Sequence, residues 1–253
     1  MIILISLYGL LIGSFLNVCI YRIPRDENIA YPASHCPNCN TKLKWYDLIP
    51  VLSFIHHRGK CGYCREKISL QYPIIELFNA TVYLFIYIKY GLTLEFFFYA
   101  IIFSILIIIT LIDIKEMIIP DILVVLILGI TTIYKVLSYI LYNKQPQLLN
   151  SIGGLVLSAL LFILIILVSQ GGMGVGDATL IGSLGFILGI KGIFLTIFLS
   201  FILGAIISVF LLITKIKGRR DPIPFGPFIV GAFFIVVFWK EQLISWYISL
   251  FFH

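Results

Sequence analysis

Long runs of apolar residues without any charge are the feature that most constrains the fold of this chain. Residues 1–21 contain no charged side chain, and 60% of the 253 residues are hydrophobic while only 12% are charged. Soluble domains are about 45–50% apolar and about 25% charged. The 21 Phe and 14 Tyr residues also exceed what a disordered chain carries. The sequence therefore excludes a water-soluble globule and predicts an all-α polytopic membrane protein.

Eight segments approach the roughly 20 mainly apolar residues that a membrane-crossing helix needs. We predict about eight transmembrane helices, at 1–21, 73–90, 95–113, 121–142, 151–169, 178–190, 192–214 and 226–250. The first is expected to be a retained helix rather than a cleaved signal peptide, because no basic segment precedes it. The sixth is short, and the eighth contains Lys240 and Glu241, whose charges would have to reach the membrane edge.

The distribution of Lys and Arg predicts the orientation of these helices. If the segment 22–72 faces the cytoplasm, 13 of the 18 Lys and Arg residues lie on that side, Arg219 and Arg220 among them. The other five are Lys89, Lys135, Lys144, Lys191 and Lys240. Because cytoplasmic loops are enriched in Lys and Arg, we expect the amino terminus outside and the long loop inside. The net charge of +6 thus reflects orientation, and no nucleic-acid partner is expected.

The loop 22–72 contains two CxxC motifs, one formed by Cys36 and Cys39 and the other by Cys61 and Cys64, with 21 residues between the motifs. Four thiolates at such a spacing form a tetrahedral Zn²⁺ site, and the Pro, Asn and Gly residues within the motifs suit tight turns. Two disulfides are the alternative, which a cytoplasmic position disfavours. We therefore predict a small zinc-binding loop domain in which a closed, structural metal site replaces a hydrophobic core.

Other residues near the motifs have simpler interpretations. His35, His56 and His57 flank the cysteines, and one of them is an alternative metal ligand, although solvated loop histidines are the preferred interpretation. Cys19 lies within the first helix and is predicted to be a buried apolar side chain.

Two aspartates stand at the ends of predicted membrane helices. Asp113 ends the third helix, and Asp177 follows Gly174-Val175-Gly176 directly before the sixth. The predicted topology places both at the cytoplasmic edge of the membrane, at similar depth. Charges inside transmembrane segments are costly and indicate function. Two carboxylates that meet there are typical of an aspartyl protease dyad, which shares a proton and activates water.

Alternatives remain for these and the neighbouring acidic residues. Asp177 is an alternative N-cap for the sixth helix, and for Asp121, after Pro120, the N-cap role is the preferred one. Lys115 and Glu116 are interpreted as a solvated turn. Intramembrane acids also serve ion-coupled transporters, but transporter sites usually lie near the midplane between internal repeats. A membrane scaffold that docks a partner through the zinc loop is a third class, and it leaves both aspartates unexplained.

In combination, these motifs resemble the type IV prepilin peptidases, the bifunctional leader peptidases and N-methyltransferases of pilus and type II secretion systems. The likeness extends over nearly the full length of the chain. In order, it comprises GSFLNV at 13–18 with RIP at 22–24, the paired CxxC motifs, YPIIE at 72–76, the segment 113–121, GVGD at 174–177 and PFGPF at 224–228. Six such motifs in one order are far more specific than any one of them.

This resemblance implies an activity and its partners. Such enzymes cleave the basic leader of a prepilin or pseudopilin after a glycine, with catalytic aspartates that correspond to Asp113 and Asp177. They then methylate the new N-terminal residue with S-adenosylmethionine. The resemblance implies a multi-pass protein of the bacterial inner membrane with its active site on the cytoplasmic side. Its partners are the prepilin leader, the substrate's transmembrane segment and the lipid bilayer. A peptidase without methylation is the alternative, because some family members lack that activity.

Three parts of the chain are expected to divide these tasks. They are the first transmembrane helix at 1–21, the Cys₄ loop at 22–72 and the transmembrane aspartyl peptidase domain at 73–253. The loop together with the first helix is the expected methyltransferase region. The sequence does not identify the residues that bind the methyl donor.

Arg22, Asn17 and Glu76 lie near the expected methyl-donor site, but each has a structural alternative. Gly9, Gly13 and Asn17 share one face of the first helix, as close helix packing requires. The simpler role of Glu76 is to pair with a basic residue of the loop.

Overall fold

The computed structural model describes residues 1–143, 145, 147–169, 173–218 and 221–251, without the side chains of 247, 248, 250 and 251. Within these ranges the chain is all-helical and has no β-strand. Three charges that contribute to the predicted orientation, Lys144, Arg219 and Arg220, lie outside the described residues. The prediction of an all-α fold is confirmed.

Seven long helices and one short helix make up the described chain. They are α1 (Ile2–Arg22), α2 (Leu52–His56), α3 (Gln71–Tyr90), α4 (Leu94–Glu116), α5 (Asp121–Tyr142), α6 (Leu148–Val168), α7 (Val175–Ile213) and α8 (Gly226–Phe251). Six of them, α1 and α4 to α8, are long and apolar enough to cross a membrane. Helix α3 matches the predicted segment 73–90 but is not one of the six. Its sequence includes Glu76, Asn79 and Lys89, which lower its hydropathy.

The predicted sixth and seventh spans, 178–190 and 192–214, correspond to two helices that meet at Gly189 without a loop and together make up α7. Helix α7 contains 39 residues and is interrupted at Gly189, where φ is 69° and ψ is −177°. Only glycine adopts such a conformation without strain, so Gly189 permits the break. A straight helix of this length would extend about 58 Å, roughly twice the hydrocarbon core. By length and composition the described residues contain six candidate membrane helices. Both predicted segments 178–190 and 192–214 fall within one of the six, α7, and α3 is not among them.

The end of α8 also departs from a regular helix. Trp239 has φ −127° and ψ 16°, and it directly precedes Lys240 and Glu241. The part of α8 that is apolar enough to cross a membrane is Gly226–Trp246. The irregular backbone therefore occurs where the sequence introduces two charges.

The chain divides into two compact units, Met1–Ile108 and Ile109–His253. In the first unit, the backbones of α1 and α3 approach closely. A Cβ at Gly9 would lie 2.5 Å from Ala80 Cα, and one at Gly13 would lie 2.7 Å from Glu76 Cα. Asn79 Nδ2 donates a hydrogen bond to Gly9 O over 2.7 Å. The close packing predicted for this face of α1 is confirmed, and Cys19 is buried as predicted.

In the second unit, α7 packs against both α6 and α8. Gly154 of α6 and Gly185 of α7 face each other, and a Cβ on either would collide with the other's backbone. At the α8 side, the rings of Phe162, Phe201 and Phe225 lie 5.3–6.2 Å apart between centroids. These contacts hold α7 against its neighbours and place the start of α8.

Large apolar side chains remain exposed on the membrane-length helices. Leu149, Val168 and Ile213 are 75–90% exposed. Because such surfaces are stable only against lipid, the protein is a multi-pass membrane protein.

Candidate functional site

Asp113 lies in the last turn of α4 and is buried, with 6% of its surface exposed. Its Oδ2 accepts a hydrogen bond of 2.9 Å from the backbone amide of Gly226, the first residue of α8. A Cβ at Gly226 would lie 2.6 Å from this oxygen. The PFGPF motif at 224–228 therefore holds the carboxylate of Asp113 by backbone contact, a role that sequence reasoning missed.

Asp177 lies in the first turn of α7 and is 7% exposed. Gly174 is the N-cap and Asp177 is the third helical residue, so the alternative of Asp177 as the N-cap is wrong. The helix begins at Val175, three residues before the predicted start at residue 178. Asp177 Oδ2 accepts a 3.3 Å hydrogen bond from the amide of Gly174. The carboxylate of Asp177 thus accepts a hydrogen bond from an amide that the helix itself leaves without a partner.

The two carboxylates lie close enough for their charges to interact. Both are buried, and each accepts one backbone amide hydrogen bond. The structure therefore brings together the two aspartates that the sequence singled out. Two buried carboxylates whose charges interact are able to share one proton.

The glycine before Asp177 permits a close approach. A Cβ at Gly176 would lie 2.9 Å from Ile119 Cβ, in the segment between α4 and α5. A Cβ at Gly174 would have no neighbour nearer than 3.7 Å. Of these two glycines, Gly176 is therefore the one whose missing side chain the packing requires.

Neighbouring polar residues have separate roles. Asp121 is the first residue of α5, its N-cap is Pro120, and no side-chain cap forms, so the N-cap role predicted for Asp121 is wrong. Lys115 and Glu116 are exposed to solvent as predicted, but they are the last two residues of α4 and not a turn. Thr110 Oγ1, three residues before Asp113, is a buried oxygen without a hydrogen-bond partner within the described residues. Its hydroxyl is available to a ligand on the same helix face.

The four cysteines of the loop converge. The Sγ atoms of Cys36, Cys39, Cys61 and Cys64 all lie within 4.8 Å of one another, and all four are free thiols rather than disulfides. Cys36 Sγ and Cys64 Sγ are 3.9 Å apart. A tetrahedral Zn²⁺ site with Zn–S bonds of about 2.3 Å has sulfur–sulfur edges of about 3.8 Å. The donor set and its spacing therefore fit a tetrahedral metal ion.

The two cysteine motifs have the same backbone design. In each, the first cysteine's amide donates to a carbonyl five residues on, from Cys36 to Thr41 and from Cys61 to Glu66. The bonds measure 3.0 and 2.8 Å, and the residue after each second cysteine has positive φ. Two such turns present two thiols each to a common centre.

The surroundings give the thiols different acidities. Burial raises the pKa of Cys36 to about 11, whereas hydrogen bonding to the side chain of Thr41 lowers the pKa of Cys39 to about 6. Backbone hydrogen bonds from Cys64 and Tyr63 lower the pKa of Cys61. Because a metal binds thiolates, the lowered pKa values favour ligation by Cys39 and Cys61.

The histidines near the cysteines are not part of the cluster. His57 Nε2 lies 3.3 Å from Asp47 Oδ1, and His35 Nδ1 lies 3.2 Å from the Ala33 carbonyl. Asp47 also accepts a 2.9 Å hydrogen bond from the hydroxyl of Tyr63. Burial opposes ionisation of Asp47, but hydrogen bonds from the Lys44 amide, Tyr63 and His57 hold its pKa below the usual value. This network ties the segment between the motifs to the second motif.

The three residues near the expected methyl-donor site all make structural contacts. The guanidinium of Arg22 donates to the carbonyls of Asn28, Ile29 and Pro32 over 2.6–3.0 Å. Asn17 Nδ2 donates to the Tyr72 carbonyl over 3.3 Å. These bonds tie α1 to the two ends of the cysteine loop.

Glu76 binds a backbone amide instead of the loop base suggested by the sequence. Its Oε2 accepts a 2.8 Å hydrogen bond from Val51, whose φ of 61° is unusual for a β-branched residue. The buried carboxylate therefore holds the loop in a conformation that its own sequence disfavours.

Comparisons with known proteins agree with this geometry. A family model described as Bacterial Peptidase A24 N-terminal domain matches residues 7–90, and one described as Type IV leader peptidase family matches residues 100–209. A prepilin leader peptidase/N-methyltransferase of Bacillus subtilis (strain 168) is 32% identical over 99% of both chains. The chain belongs to the type IV leader peptidase family.

Other members of this family are similar over comparable lengths. Proteins with the same name from Legionella pneumophila and Aeromonas hydrophila are 31% and 29% identical over 98% of this chain, covering 95% and 94% of their own lengths. No solved structure gives a significant match. The first family match contains the four cysteines, and the second contains Asp113 and Asp177.

Proposed function

We propose that this protein cleaves the leader peptide of type IV prepilins or pseudopilins after a glycine and then methylates the new N-terminal residue with S-adenosylmethionine. Membership of the type IV leader peptidase family supports this proposal, since full-length relatives are named prepilin leader peptidase/N-methyltransferase. The observation that carries the peptidase half is the buried pair of Asp113 and Asp177, each held by a backbone amide.

The proposed mechanism uses one water molecule between the two carboxylates. The ionised carboxylate takes a proton from this water as the water oxygen attacks the scissile carbonyl carbon. The protonated carboxyl group donates its proton to the carbonyl oxygen. As the intermediate collapses, the carboxyl group that received the water's proton gives it to the leaving amine, and the other carboxylate takes back a proton from a hydroxyl group of the intermediate. Burial of both aspartates excludes bulk water and strengthens these electrostatic interactions. The buried hydroxyl of Thr110, which has no partner among the described residues and lies one helical turn before Asp113, would orient either the water or the substrate.

The helix ends do not separate the roles of the two aspartates. Asp177 lies at the N-terminus of α7, where the helix dipole favours an anion, and Asp113 lies at the C-terminus of α4, where it does not. Asp113 also accepts an amide from the N-terminal residue of α8, and this bond is the shorter one, at 2.9 against 3.3 Å. The two influences on Asp113 oppose each other, so we assign the proton to the pair and not to one residue.

We further propose that Cys36, Cys39, Cys61 and Cys64 hold a structural Zn²⁺. All four positions of a tetrahedral ion would be occupied by protein thiolates, which leaves none open for catalysis. The bound ion would supply folding free energy to a loop of 3₁₀ turns and one five-residue helix, which buries few large apolar side chains.

The proposed division of labour follows the parts of the chain. Helix 1–21 and loop 22–72 would perform methyl transfer, and the segment 73–253 would perform cleavage. The excess of Lys and Arg in the loop supports a cytoplasmic position for the loop and for both aspartates, in the inner membrane of a bacterium. A substrate with a basic leader would be retained on the same side by the same rule.

Mass spectrometry of a prepilin incubated with the full-length protein in detergent tests both activities. Cleavage should remove the leader with or without S-adenosylmethionine, and the product should gain about 14 mass units only when the methyl donor is present. Cleavage without this gain would leave a peptidase alone. If a folded, zinc-loaded sample cleaves none of several prepilins, the proposal is contradicted. Ion transport that uses the two aspartates would then be the alternative function.

A further inference from the structure

A polar pocket lies in the second unit, farther along α7 from Asp177. Its volume is about 490 Å³, and it is lined by parts of α5, α6, α7 and α8 together with Gln145 and Gln147. Leu188 of its wall is 11 residues along α7 from Asp177. At 1.5 Å per residue this separation is about 17 Å. The polar lining residues include Lys135, Ser138, Gln147, Asn150, Ser151 and Lys240. The pocket is therefore distinct from the proposed active site.

Two ammonium groups line this pocket without a carboxylate among its described lining residues. Lys135 Nζ donates a 2.9 Å hydrogen bond to Ser151 Oγ and lies 5.3 Å from the centroid of the Phe186 ring. Neither the hydroxyl nor the ring neutralises the charge. A charge in a membrane-length helix is costly unless it is paired, and by default it marks a functional site. The unbalanced charges of Lys135 and Lys240 therefore favour an anionic ligand.

The break in α7 lies at the wall of the pocket. The second part of α7 starts at Ile190, next to the pocket wall at Gly189. Asn150 Oδ1 accepts a 3.0 Å hydrogen bond from the Ile190 amide, which fixes the broken backbone against α6. The break thus brings two helix ends to the pocket, the negative end of the first part, at Ile187 and Leu188, and the positive end of the second part. The two lysines, not the helix dipoles, therefore decide the sign of the ligand.

The surroundings of the pocket are those of a membrane interface. Tyr139 and Tyr142, which follow the pocket residue Ser138, and Trp239, which precedes Lys240, are 41–51% exposed. Tyr and Trp concentrate at the depth of lipid headgroups. The charge distribution of the sequence also assigns Lys135 and Lys240 to the side opposite the cysteine loop.

We propose that this pocket binds a phosphate group, supplied by the headgroup of an anionic phospholipid in the leaflet opposite the cysteine loop. The two lysines, the hydroxyl groups of Ser138 and Ser151 and the amides of Gln147 and Asn150 supply donors for the phosphate oxygens. The exposed apolar faces of α5 and α6 would contact the acyl chains. This site goes beyond the proposed peptidase and methyltransferase activities and does not depend on them.

Thermal unfolding of the full-length protein in detergent tests the proposal. Phosphatidylglycerol should raise Tm by about 3 °C more than phosphatidylcholine at the same mole fraction, because a ligand of the folded state stabilises it. Sodium phosphate is compared with sodium chloride at equal ionic strength to distinguish a lipid from a free anion. Equal shifts with the two lipids would overturn the proposal. A rise with phosphate alone would overturn the lipid as the source of the phosphate group.

Three single substitutions complete the test, each compared with its own lipid-free Tm. Lys135→Met and Lys240→Met should each lose more than half of the shift that phosphatidylglycerol produces. Lys191→Met is the matched control, because Lys191 is an exposed lysine of α7 that does not line the pocket. If both pocket variants keep the full shift, or if the control loses as much as they do, the proposal is wrong. Should Lys135→Met fail to fold, Lys240→Met decides alone.

Discussion

Gly226 and Asp113, which are 113 residues apart in the sequence, are joined by a 2.9 Å hydrogen bond from the backbone amide of the first to Oδ2 of the second. The glycine has no room for a side chain, because a Cβ would lie 2.6 Å from the same oxygen. The start of α8 therefore both holds one proposed catalytic carboxylate and limits its position.

Gly226→Ala should lower the rate of prepilin cleavage by about 10²-fold, because a displacement of a reacting group by about 1 Å has an effect of this size. The cleavage rate in detergent, at equal amounts of folded protein, measures it. Gly231→Ala in the same helix is the control, since its Cβ would meet only Leu203 Cδ1 at 3.6 Å, an ordinary contact. Equal rates for the two variants would show that Gly226 does not position Asp113.

Asp113→Asn and Asp177→Asn should each lower cleavage by at least about 10³-fold, because an amide neither takes a proton from water nor shares one with the remaining carboxylate. Zinc content and Tm should stay near those of the unmodified protein. Asp121→Asn removes a carboxylate that makes no side-chain cap at the start of α5, and it should cleave at nearly the normal rate. Substantial cleavage by either of the first two variants would remove that residue from the mechanism.

Gly176→Ala should impair cleavage more than Gly174→Ala, by about tenfold or more, because only the first places a methyl group against the Ile119 side chain beside Asp177. The two glycines look equivalent in the sequence, so a comparison of the two cleavage rates tests the packing directly. A larger defect in Gly174→Ala would contradict the packing described for this turn.

After zinc removal with a chelator, iodoacetamide at pH 7 should modify Cys39 well before Cys36. The pKa of Cys39 is lowered to about 6 and that of Cys36 is raised to about 11. At pH 7 Cys39 is then roughly nine-tenths thiolate and Cys36 about one part in 10⁴. Lowering the pH below 6 should protonate Cys39 and slow its modification. Peptide mass spectrometry gives the order, and in the zinc-loaded protein all four cysteines should be protected. Simultaneous modification of both would contradict the assigned acidities.

Gly154→Ala should destabilise the protein by about 2 kcal/mol, because its methyl group would enter the backbone of α7. Gly153→Ala is the control in the neighbouring position, where the methyl group would meet only the flexible end of Ile190. Thermal unfolding of both variants in the same detergent measures the difference. Similar losses of stability would exclude close backbone contact between α6 and α7 as the cause.

The helices that the sequence located best are those whose ends carry strong local signals. Helix α5 runs from Asp121 to Tyr142, as predicted, because Pro120 fixes its start and the polar residues after Tyr142 end the apolar run. The predicted break between 190 and 192 was close to the real one at Gly189, where two helices meet without a loop. Hydropathy locates such a break only approximately, because the backbone conformation of the glycine, not the charge of Lys191, ends the first helix.

The sequence by itself determined that this is a membrane protein, that four cysteines suit a metal site, and that Asp113 and Asp177 are the acids to examine. These conclusions depend on composition and on the spacing of residues that are close together in the sequence. Only the tertiary structure decided that Gly226 holds Asp113 and that Cys36 lies 3.9 Å from Cys64. It also placed Lys135 and Lys240 in one pocket. Contacts between residues far apart in the chain depend on how whole helices and turns pack, which no local pattern encodes.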